Sequence, residues 1–473
     1  MHRLLAIFAL ALCSIGQAAG ATGSIDSFIA REMAQSGAPG IAYAVVENGE
    51  IAKIGTRGVE DRDTGKKVTG DTQFLIGSLS KSFTALAIMQ LVEAGKVELD
   101  APISRYLGSF ADGPAQSITI RQLLSHTSGY STLQGNYSHQ DRSNAPDELA
   151  RQVERDAAEA PAYPAESRYE YSNRNYQILG RLVEVASGQD FASYVSANIL
   201  RPIGMDHSFV SDGAVHPEMA TGYAPWFTGK RAISPNQTHR SVAPQGGIVS
   251  TARDIARYMQ VMMNGEDDVL SAAGKAQMMQ PANAAAPNYG FGWVVDPGDG
   301  SVGHSGTSPG YETLANMIPA EQKAVVVLLN SGSGTGFGEN AALQNGITAL
   351  ALGLDQNGEP SRWQQKALFV SLVLIPLLFL ASMAWAWRKR AELRAKAKSG
   401  PFGLFSLWFP LVPTLAMVWI VFGLVPGLFG VSMNTLRQFQ PDLVLALVAC
   451  AATGLLWAVF RLALAYIGKR RSA

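Results

Sequence analysis

The chain has 473 residues, enough for about three domain-sized units, and its 38 basic side chains balance its 38 acidic ones. The balance is uneven, because eleven basic but only two acidic residues lie from Ala367 onward, so the preceding part is net acidic and nucleic acid is excluded as a partner. The two cysteines, Cys13 and Cys450, lie in apolar segments, which excludes a disulfide framework or a cysteine metal site in the part between them.

The chain begins with the pattern of a secretory signal peptide. A short basic start is followed by an apolar run, Leu4 to Cys13, and then by small residues. This is the charged, apolar and cleavage order of a secretory signal. A lipoprotein signal or an uncleaved anchor is the alternative, but the bulky Leu12 fits a lipobox poorly. We therefore expect residues 1–21 to be removed and residues 22–353 to fold as the first domain.

The first predicted elements of that domain are two strands. Alternating apolar residues from Ile41 to Val45 and from Ile51 to Ile54 flank the pair Asn48-Gly49. Because Asn and Gly tolerate the positive φ of a tight turn, the pattern predicts a β-hairpin.

A buried helix is predicted next. The apolar residues between Phe83 and Val92 are too dense for a surface helix, and Gly95 ends the run. Ser78 then lies at the N-terminal end of the helix, where backbone N–H groups are unsatisfied and the helix dipole is positive. This position favours the negative charge that develops when a serine attacks a carbonyl group.

The remainder of the domain mixes helices, loops and strands. Residues 100–280 lean towards helix, whereas Gly290–Val295 and Ala324–Leu329 are predicted as buried strands and Asn340–Leu352 as a final helix. Because strands are predicted at both ends with helices between them, we expect a single domain whose two ends come together to complete it. A polar stretch with Gly and Pro makes residues 354–366 the predicted linker.

Three long apolar stretches follow, at about residues 367–387, 402–430 and 443–467. Each can cross roughly 30 Å of hydrocarbon, so residues 367–473 are predicted to form a membrane domain. Basic residues crowd the first connection and the C-terminus, and positive segments stay in the cytoplasm. We therefore expect a bacterial inner-membrane protein with its first domain outside, periplasmic or extracellular, and its C-terminus inside. Because the stretches carry no charge except Arg461, which can snorkel, a plain anchor is favoured over a transport or export unit.

The residues that carry chemistry are a serine, a lysine and a tyrosine. Ser78 and Lys81 stand one helical turn apart, and Tyr171 belongs to a Tyr-Ser-Asn run. A serine hydroxyl is a poor nucleophile at neutral pH and needs a neighbouring group that takes its proton. Lys and Tyr ordinarily titrate near 10.4 and 10, so either becomes a base only if its surroundings shift its pKa. Which of the two takes the proton stays open.

Three short motifs occur once each and in this order: Ser-x-x-Lys at 78–81, Tyr-x-Asn at 171–173 and His-x-Gly at 304–306. With the segments 124–129 and 246–254, they resemble the serine β-lactamase-related family, which includes class C β-lactamases, DD-peptidases, esterases and D-aminopeptidases. The resemblance covers about residues 25–350. It implies a β-lactamase-like α/β fold, with an antiparallel sheet flanked by helices plus an all-helical subdomain, which here is followed by the three predicted transmembrane α-helices.

The resemblance also implies roles for particular residues. Ser78 is expected to form an acyl-enzyme that water later clears, with Lys81 and Tyr171 as its catalytic partners. Asn173 is expected to orient Lys81 and to bind a substrate amide. The backbone N–H groups of Ser78 and Thr307 are expected to form the oxyanion hole.

His304 and Gly306 complete the predicted substrate-binding set. β-Lactamases and DD-peptidases commonly carry a lysine where this chain has His304, whose unperturbed pKa near 6.5 leaves it mostly neutral at pH 7. A permanent carboxylate-binding cation is therefore missing at this position. Its absence shifts the expectation from β-lactams towards the substrates of the family's peptidases and esterases.

The order of a secreted hydrolase and three spans resembles membrane-bound prodrug peptidases of the colibactin-maturing type. The expected function is a membrane-anchored extracytoplasmic serine hydrolase that cleaves an amide or ester, such as that of a D-amino-acid or peptidoglycan-type peptide. The alternatives are a penicillin-binding or sensor protein that is acylated without turnover, and a true β-lactamase. No cofactor or metal is expected, because His126 has no second histidine at metal-ligand spacing and no phosphate loop follows a predicted strand.

Overall fold

The computed structural model describes residues 24–137, 144–354 and 361–467. The predicted signal peptide, residues 355–360 of the predicted linker and the basic residues at the C-terminus lie outside these ranges.

Strands from the two ends of the N-terminal part, residues 24–354, meet in one antiparallel sheet. The strands are β1 Gly40–Glu47, β2 Glu50–Gly58, β3 Phe74–Leu75, β4 Phe209–Val210, β5 Gly222–Trp226, β6 Gly229–Ile233, β7 Ile248–Ser250, β8 Val294–Val295, β9 Val302–Ser308, β10 Tyr311–Ile318 and β11 Lys323–Leu329. The main sheet has the order β2-β1-β11-β10-β9-β8, and two small sheets have the orders β3-β7-β4 and β5-β6. In the main sheet Ile41 lies opposite Leu329, so the beginning and the end of this part close one sheet, as the sequence predicts. The predicted hairpin is also present, with positive φ at Asn48 and Gly49.

Helices cover this sheet and form a separate helical layer. They are α1 Ile25–Ser36, α2 Ser80–Glu93, α3 Ile120–Leu124, α4 Thr132–Asn136, α5 Glu148–Ala157, α6 Asn173–Ser187, α7 Phe191–Val195, α8 Arg201–Ile203, α9 Ala243–Gly246, α10 Ala252–Met263, α11 Ala272–Met278 and α12 Ala341–Leu352. The final helix follows the expected bounds, with Asn340 as its N-terminal cap residue. α6 lies at the centre of the helical layer and packs against α2, α3, α5 and α9.

The two faces of β1 pack into different hydrophobic clusters. Ile41, Tyr43 and Val45 pack with buried residues of α1 and α12. Ala42 and Ala44 point to the opposite face and join the larger core, which contains residues of α2 and α10. A strand that is buried on both faces has a continuous apolar sequence rather than strict alternation. The larger core thus joins the sheet to α2, and α2 also packs against α6 of the helical layer. Its N-terminal end therefore lies between the sheet and the helical layer.

Two predicted boundaries are wrong in detail. Ser78 lies in a 3-10 turn, Gly77–Leu79, and α2 begins only at Ser80. Of the predicted strand Gly290–Val295, only the last two residues form β8. The reason is Gly292, whose φ of 75° turns the chain and whose Cα packs against the backbone of α2.

The C-terminal part, residues 361–467, consists of helices: α13 Trp363–Arg388, α14 Arg390–Lys396, α15 Gly400–Trp408, α16 Leu411–Trp419, α17 Val425–Phe429, α18 Met433–Phe439 and α19 Pro441–Tyr466. Three stretches are long and apolar enough to cross a membrane, namely α13, residues 400–429 and α19, with mean hydropathies of 2.5, 2.1 and 2.4. They coincide with the three predicted spans. The middle stretch is divided into short helices and a π-helical turn, Ile420–Leu424, and it contains several prolines, which remove backbone donors from a helix.

Candidate active site

The side chains of Ser78 and Lys81 meet at the start of α2. Lys81 Nζ lies 3.1 Å from Ser78 Oγ, because one turn of helix separates the two residues. The lysine is fully buried and also donates hydrogen bonds to Asn173 Oδ1 at 2.8 Å and to the carbonyl oxygen of Gln245 at 2.7 Å. Three chain segments that are far apart in sequence therefore converge on one amine.

Burial holds the pKa of Lys81 well below its ordinary value of 10.5. Desolvation is the cause, since removing an ammonium group from water disfavours its charged form. A neutral amine has two N–H groups and one lone pair. Asn173 and Gln245 can accept the two N–H groups, which leaves the lone pair to face the hydroxyl group of Ser78. The geometry fits a lysine that accepts a proton from the serine.

Tyr171 approaches the same hydroxyl group from the other side. Its phenol forms a hydrogen bond with Ser78, and its ring centroid lies 4.8 Å from Lys81 Nζ. Burial raises the pKa of Tyr171 above its ordinary value of 10, so the protonated phenol is favoured near neutral pH. The structure thus brings the three predicted catalytic side chains together, and burial acts on the two candidate bases in opposite directions.

Asn173 begins α6 and lies at hydrogen-bonding distance from two partners. Its Oδ1 accepts from Lys81, and its Nδ2 donates to Asn136 Oδ1 at 2.8 Å. This arrangement fixes which end of the amide faces the lysine. The carboxamide therefore orients the amine, as the family resemblance implies.

Strand β9 forms the opposite wall of the site. Gly306 packs against the backbone of Ile76 so closely that a Cβ atom at this position would overlap the Ile76 carbonyl oxygen. Gly77 is also close to the backbone nitrogen of Thr307, from which an added Cβ would lie 2.6 Å. The missing side chains let β9 approach the turn that carries Ser78. They bring the backbone of Thr307 next to that of the serine, as an oxyanion hole with one donor from each requires.

His304 is buried beneath this wall. Its Nδ1 lies 2.6 Å from the carbonyl oxygen of Ser305, so Nδ1 carries the proton, and its Nε2 lies 3.1 Å from the hydroxyl group of Tyr289. Burial lowers the pKa of His304 to about 4, with the nearby Lys81 adding to the effect. The imidazole is therefore neutral at physiological pH, and both of its nitrogens already have protein partners.

His126 is buried and supports the loop that carries Tyr171. Its Nδ1 lies 3.1 Å from the backbone nitrogen of Ser172 and 3.1 Å from Asn175 Nδ2. Its ring centroid lies 4.4 Å from that of Tyr171. The imidazole thus holds the backbone next to Tyr171 and packs against the phenol ring.

Sequence reasoning missed three contributors to the site: Asn136, Gln245 and Tyr289. Gln245 directly precedes the Gly246-Gly247 pair that forms part of the family resemblance, so its position was marked but its role was not. Its contribution is a backbone carbonyl, which no side-chain motif reveals. Asn136 and Tyr289 lie in segments without any recognisable motif.

A cavity of about 450 Å³ opens in front of Ser78. Asn173 and Thr307 line it beside the serine, whereas Lys81, Tyr171 and His304 are not among its lining residues. None of the described residues that line it is an Asp, Glu, Lys or Arg. Four of its lining residues, Val431, Thr435, Gln438 and Phe439, come from the connection between the second and third membrane-spanning stretches.

No described group of three or more His, Cys, Asp or Glu residues has the arrangement of a metal site.

Comparisons with known proteins identify relatives of the N-terminal part. A family model described as "Beta-lactamase" matches residues 25–349. The chain is 32% identical over 326 residues to "Penicillin-binding protein 4" from Amycolatopsis lactamdurans, an alignment that covers 63% of this chain and 82% of that protein. Among solved structures, the octameric penicillin-binding protein homologue from Pyrococcus abyssi superposes with a TM-score of 0.62 at 27% identity, covering 70% of this chain and 77% of that one.

One similarity extends further along the chain. "Protein flp" from Staphylococcus aureus (strain MRSA252) is 26% identical over 415 residues, which cover 85% of this chain and 81% of that protein. An alignment of that extent reaches into the C-terminal helices, because the first of them begins at Trp363.

Proposed function

The chain belongs to the beta-lactamase family, and on that basis we propose that it is a membrane-anchored serine hydrolase that forms an acyl-enzyme on Ser78. The observation that carries the proposal is the contact of Ser78 Oγ with a buried lysine on one side and with the phenol of Tyr171 on the other. The opposite pKa shifts of these two groups support different roles for them.

In the proposed reaction, neutral Lys81 takes the proton of Ser78 as Oγ attacks the carbonyl carbon of the substrate. The negative charge that develops on the carbonyl oxygen is stabilised by the N–H groups of Ser78 and Thr307. When the bond to the leaving nitrogen or oxygen breaks, Tyr171 gives that atom a proton and recovers one from the Lys81 ammonium group. Water then attacks the ester on Ser78 and gives a proton to the Lys81 amine, and when the bond between the carbonyl carbon and Oγ breaks, the Lys81 ammonium group returns that proton to Oγ as the acid leaves. Each proton leaves the lysine by the end of the cycle, so the enzyme is unchanged.

The proposed substrate is an amide or ester whose leaving group carries no free carboxylate, rather than a β-lactam. None of the described lining residues is a Lys or Arg, and a neutral His304 stands where β-lactamases and DD-peptidases commonly carry a lysine, so the permanent cation that binds a carboxylate at that position is missing. Amides or esters of D-amino-acid or peptidoglycan-type peptides remain the leading candidates, because a relative is named as a penicillin-binding protein.

We further propose that the N-terminal part lies outside the cytoplasmic membrane. The connection between the second and third membrane-spanning stretches, residues 430–440, contacts the N-terminal part, for example through a hydrogen bond from Asn136 Nδ2 to the carbonyl oxygen of Gly430. The connection and the N-terminal part therefore lie on the same side of the membrane. The basic connection around α14 lies at the other end of the spans, where Arg394 donates to the carbonyl oxygen of Leu464. Since positive connections stay in the cytoplasm, the active site faces away from it. A signal peptide at residues 1–21, a hydrolase domain at 22–353, a linker at 354–366 and a membrane domain at 367–473 complete this proposed organisation.

The decisive experiment labels the full-length protein in detergent with a fluorescent fluorophosphonate. Wild type should be labelled, and Ser78→Ala should not be. Ser82→Ala is the matched control, because its hydroxyl group is buried in the same helix, donates to the carbonyl oxygen of Leu79 and contacts the Tyr258 phenol rather than the group around Ser78. Labelling that survives in Ser78→Ala would contradict the assignment of the nucleophile.

Turnover of p-nitrophenyl esters and of D-amino-acid amides would then separate a hydrolase from an acylated sensor. A single burst without steady turnover on every substrate would favour the sensor, and efficient nitrocefin hydrolysis would favour a β-lactamase. For a hydrolase that uses Lys81 as the base, kcat/KM should rise with pH as the lysine loses its proton, and the pKa of this rise should lie below 10.5. A rise with its midpoint at or above 10.5 would contradict the role of Lys81.

A further inference from the structure

The cavity in front of Ser78 has walls from two different parts of the chain. Ser78, Asn173 and Thr307 belong to the N-terminal part, whereas Thr435 and Phe439 belong to the connection between the last two membrane-spanning stretches. This connection, residues 430–440, contains α18 and is short, so its position is determined by the spans on either side and by what it contacts. The membrane part thus forms part of the surface that a substrate of Ser78 meets.

The connection is held in place by hydrogen bonds at both of its ends. At its beginning, the carbonyl oxygen of Gly430 accepts from Asn136 Nδ2 at 2.9 Å. At its end, Gln440 Oε1 accepts from the backbone nitrogen of Thr335 at 3.2 Å, and Gln440 Nε2 donates to the carbonyl oxygen of Ser333. Contacts at both ends keep a wall rigid, which is what selection by shape requires.

A third attachment lies just beyond the connection. The carboxylate of Asp442, in the first turn of α19, accepts a hydrogen bond of 2.7 Å from the backbone nitrogen of Phe227. The Phe227 ring also packs against the cluster of buried membrane-helix residues that includes Phe369. The membrane part and the loop at the end of β5 therefore form a continuous contact beside the cavity.

Asn136 joins this wall to the catalytic lysine. Its side-chain oxygen accepts from Asn173 Nδ2, and its side-chain nitrogen donates to Gly430. Its backbone oxygen accepts from Thr435 Oγ1 at 3.4 Å. Because Asn173 in turn binds Lys81, a chain of hydrogen bonds runs from the membrane part to the amine next to Ser78.

We propose that the 430–440 connection is the specificity-determining wall of the active site, and that it selects substrates with an extended apolar, uncharged group on one side of the scissile carbonyl. This inference rests on the proposed function. The apolar faces of Val431 and Phe439 line the cavity, and no described lining residue carries a formal charge of the Asp, Glu, Lys or Arg type. The apolar part of such a surface gains free energy by burying apolar area, whereas a charged group placed against it would lose its hydration without gaining a Lys, Arg, Asp or Glu partner.

The experiment measures chain-length selectivity in the full-length protein in detergent. The probes are p-nitrophenyl esters from acetate to octanoate and, for the leaving-group side, acetate esters of alcohols from methyl to octyl. We expect wild-type kcat/KM to rise with chain length in at least one series. We expect Phe439→Ala to reduce kcat/KM about tenfold or more for the longest member of that series and less than about twofold for the shortest, because deletions in an apolar pocket act in proportion to the lost contact.

Phe422→Ala is the matched control, because Phe422 lies in the second spanning stretch with its ring half exposed and away from the cavity. It should leave the selectivity unchanged. Phe439→Trp provides a second variant that keeps the wall apolar but enlarges it, and it should move the preferred chain length downward. Equal losses for all chain lengths in both Phe439 variants, or no change in either series, would overturn the proposal.

The link through Asn136 has its own readout. Asn136→Leu removes both side-chain hydrogen bonds at nearly constant volume, and it should shift the pKa of the rise in kcat/KM because Asn173 is no longer held against Lys81. A purely structural defect would lower the activity without moving this pKa. Fluorophosphonate labelling of Ser78 distinguishes the two levels of failure: labelled, active protein with unaltered selectivity refutes the wall alone, whereas protein without labelling or hydrolysis refutes the proposed function.

Discussion

Replacing Gly77 by alanine should disable the oxyanion hole while leaving Ser78, Lys81 and Tyr171 in place. An added Cβ would lie 2.6 Å from the backbone nitrogen of Thr307, whereas ordinary Cβ contacts begin at 3.4 Å. Thr307 and the turn carrying Ser78 must therefore separate by about 0.8 Å, which follows from the difference of the two distances. Oxyanion donors act at about 2.7–3.1 Å, so a displacement of that size removes one of them, and such a loss lowers kcat about 10²–10³-fold.

The assay is kcat for p-nitrophenyl acetate in the full-length protein, with the thermal unfolding midpoint measured in parallel. Gly77 also has a φ of 55°, so alanine adds backbone strain of roughly 1–2 kcal/mol. Gly95→Ala controls for this strain, because Gly95 has a φ of 67° at the other end of α2 and no heavy atom within 4 Å of an added Cβ. We expect both variants to lose stability and only Gly77→Ala to lose kcat. A folded Gly77→Ala protein with kcat within about threefold of wild type would refute the assignment of Thr307 to the oxyanion hole.

Two further predictions concern stability. His304 has a folded-state pKa of about 4 and an unfolded pKa near 6.5, so between these values the unfolded chain binds a proton that the folded chain does not. The free energy of unfolding should therefore fall by up to about 3 kcal/mol as the pH drops from 6.5 to 4, and denaturation of His304→Gln should show a correspondingly shallower decrease; an identical pH dependence in the variant would contradict the assignment. Arg174→Met should lower the free energy of unfolding by about 3–5 kcal/mol, because Arg174 and Asp156 form a buried pair at 3.0 Å and the carboxylate would lose its cation. The exposed pair of Arg105 and Glu98 is the control, and Arg105→Gln should leave the free energy of unfolding nearly unchanged in the same denaturation assay, because water screens the pair.

The sequence predicts the fold well where local patterns and pairing rules agree. The Asn48-Gly49 turn required positive φ, and the hairpin follows. The apolar run that ends at Leu329 pairs with the first strand because both need two buried faces. The predicted start of the strand Gly290–Val295 is wrong, because the apolar pattern shows only which residues are buried. It does not record that Gly292 must turn the chain against α2.

The site was only partly predictable for a similar reason. Catalytic side chains can be recognised by their sequence motifs, and the three that the motifs indicate, Ser78, Lys81 and Tyr171, lie in contact in the structure. The second acceptor of Lys81 is the backbone oxygen of Gln245, which is 164 residues away and has no signature in the sequence. The sequence already predicts a mostly neutral His304 at pH 7, but the further lowering of its pKa to about 4 depends on tertiary structure, because burial and the nearby Lys81 cause it.

The contacts of the membrane part change how a truncation experiment must be interpreted. The sequence favours a plain anchor, and by that reasoning removal of residues 367–473 should leave activity intact. The structure instead has Thr435 and Phe439 at the cavity and Asn136 bonded to Gly430, so truncation removes a wall of the site and the partner of a positioning residue. Loss of activity on truncation is therefore what a specificity wall predicts, and it is not evidence for a transport or export unit. A transport role would have to be tested with the spans present, for example by measuring substrate passage in a Ser78→Ala protein whose wall is complete.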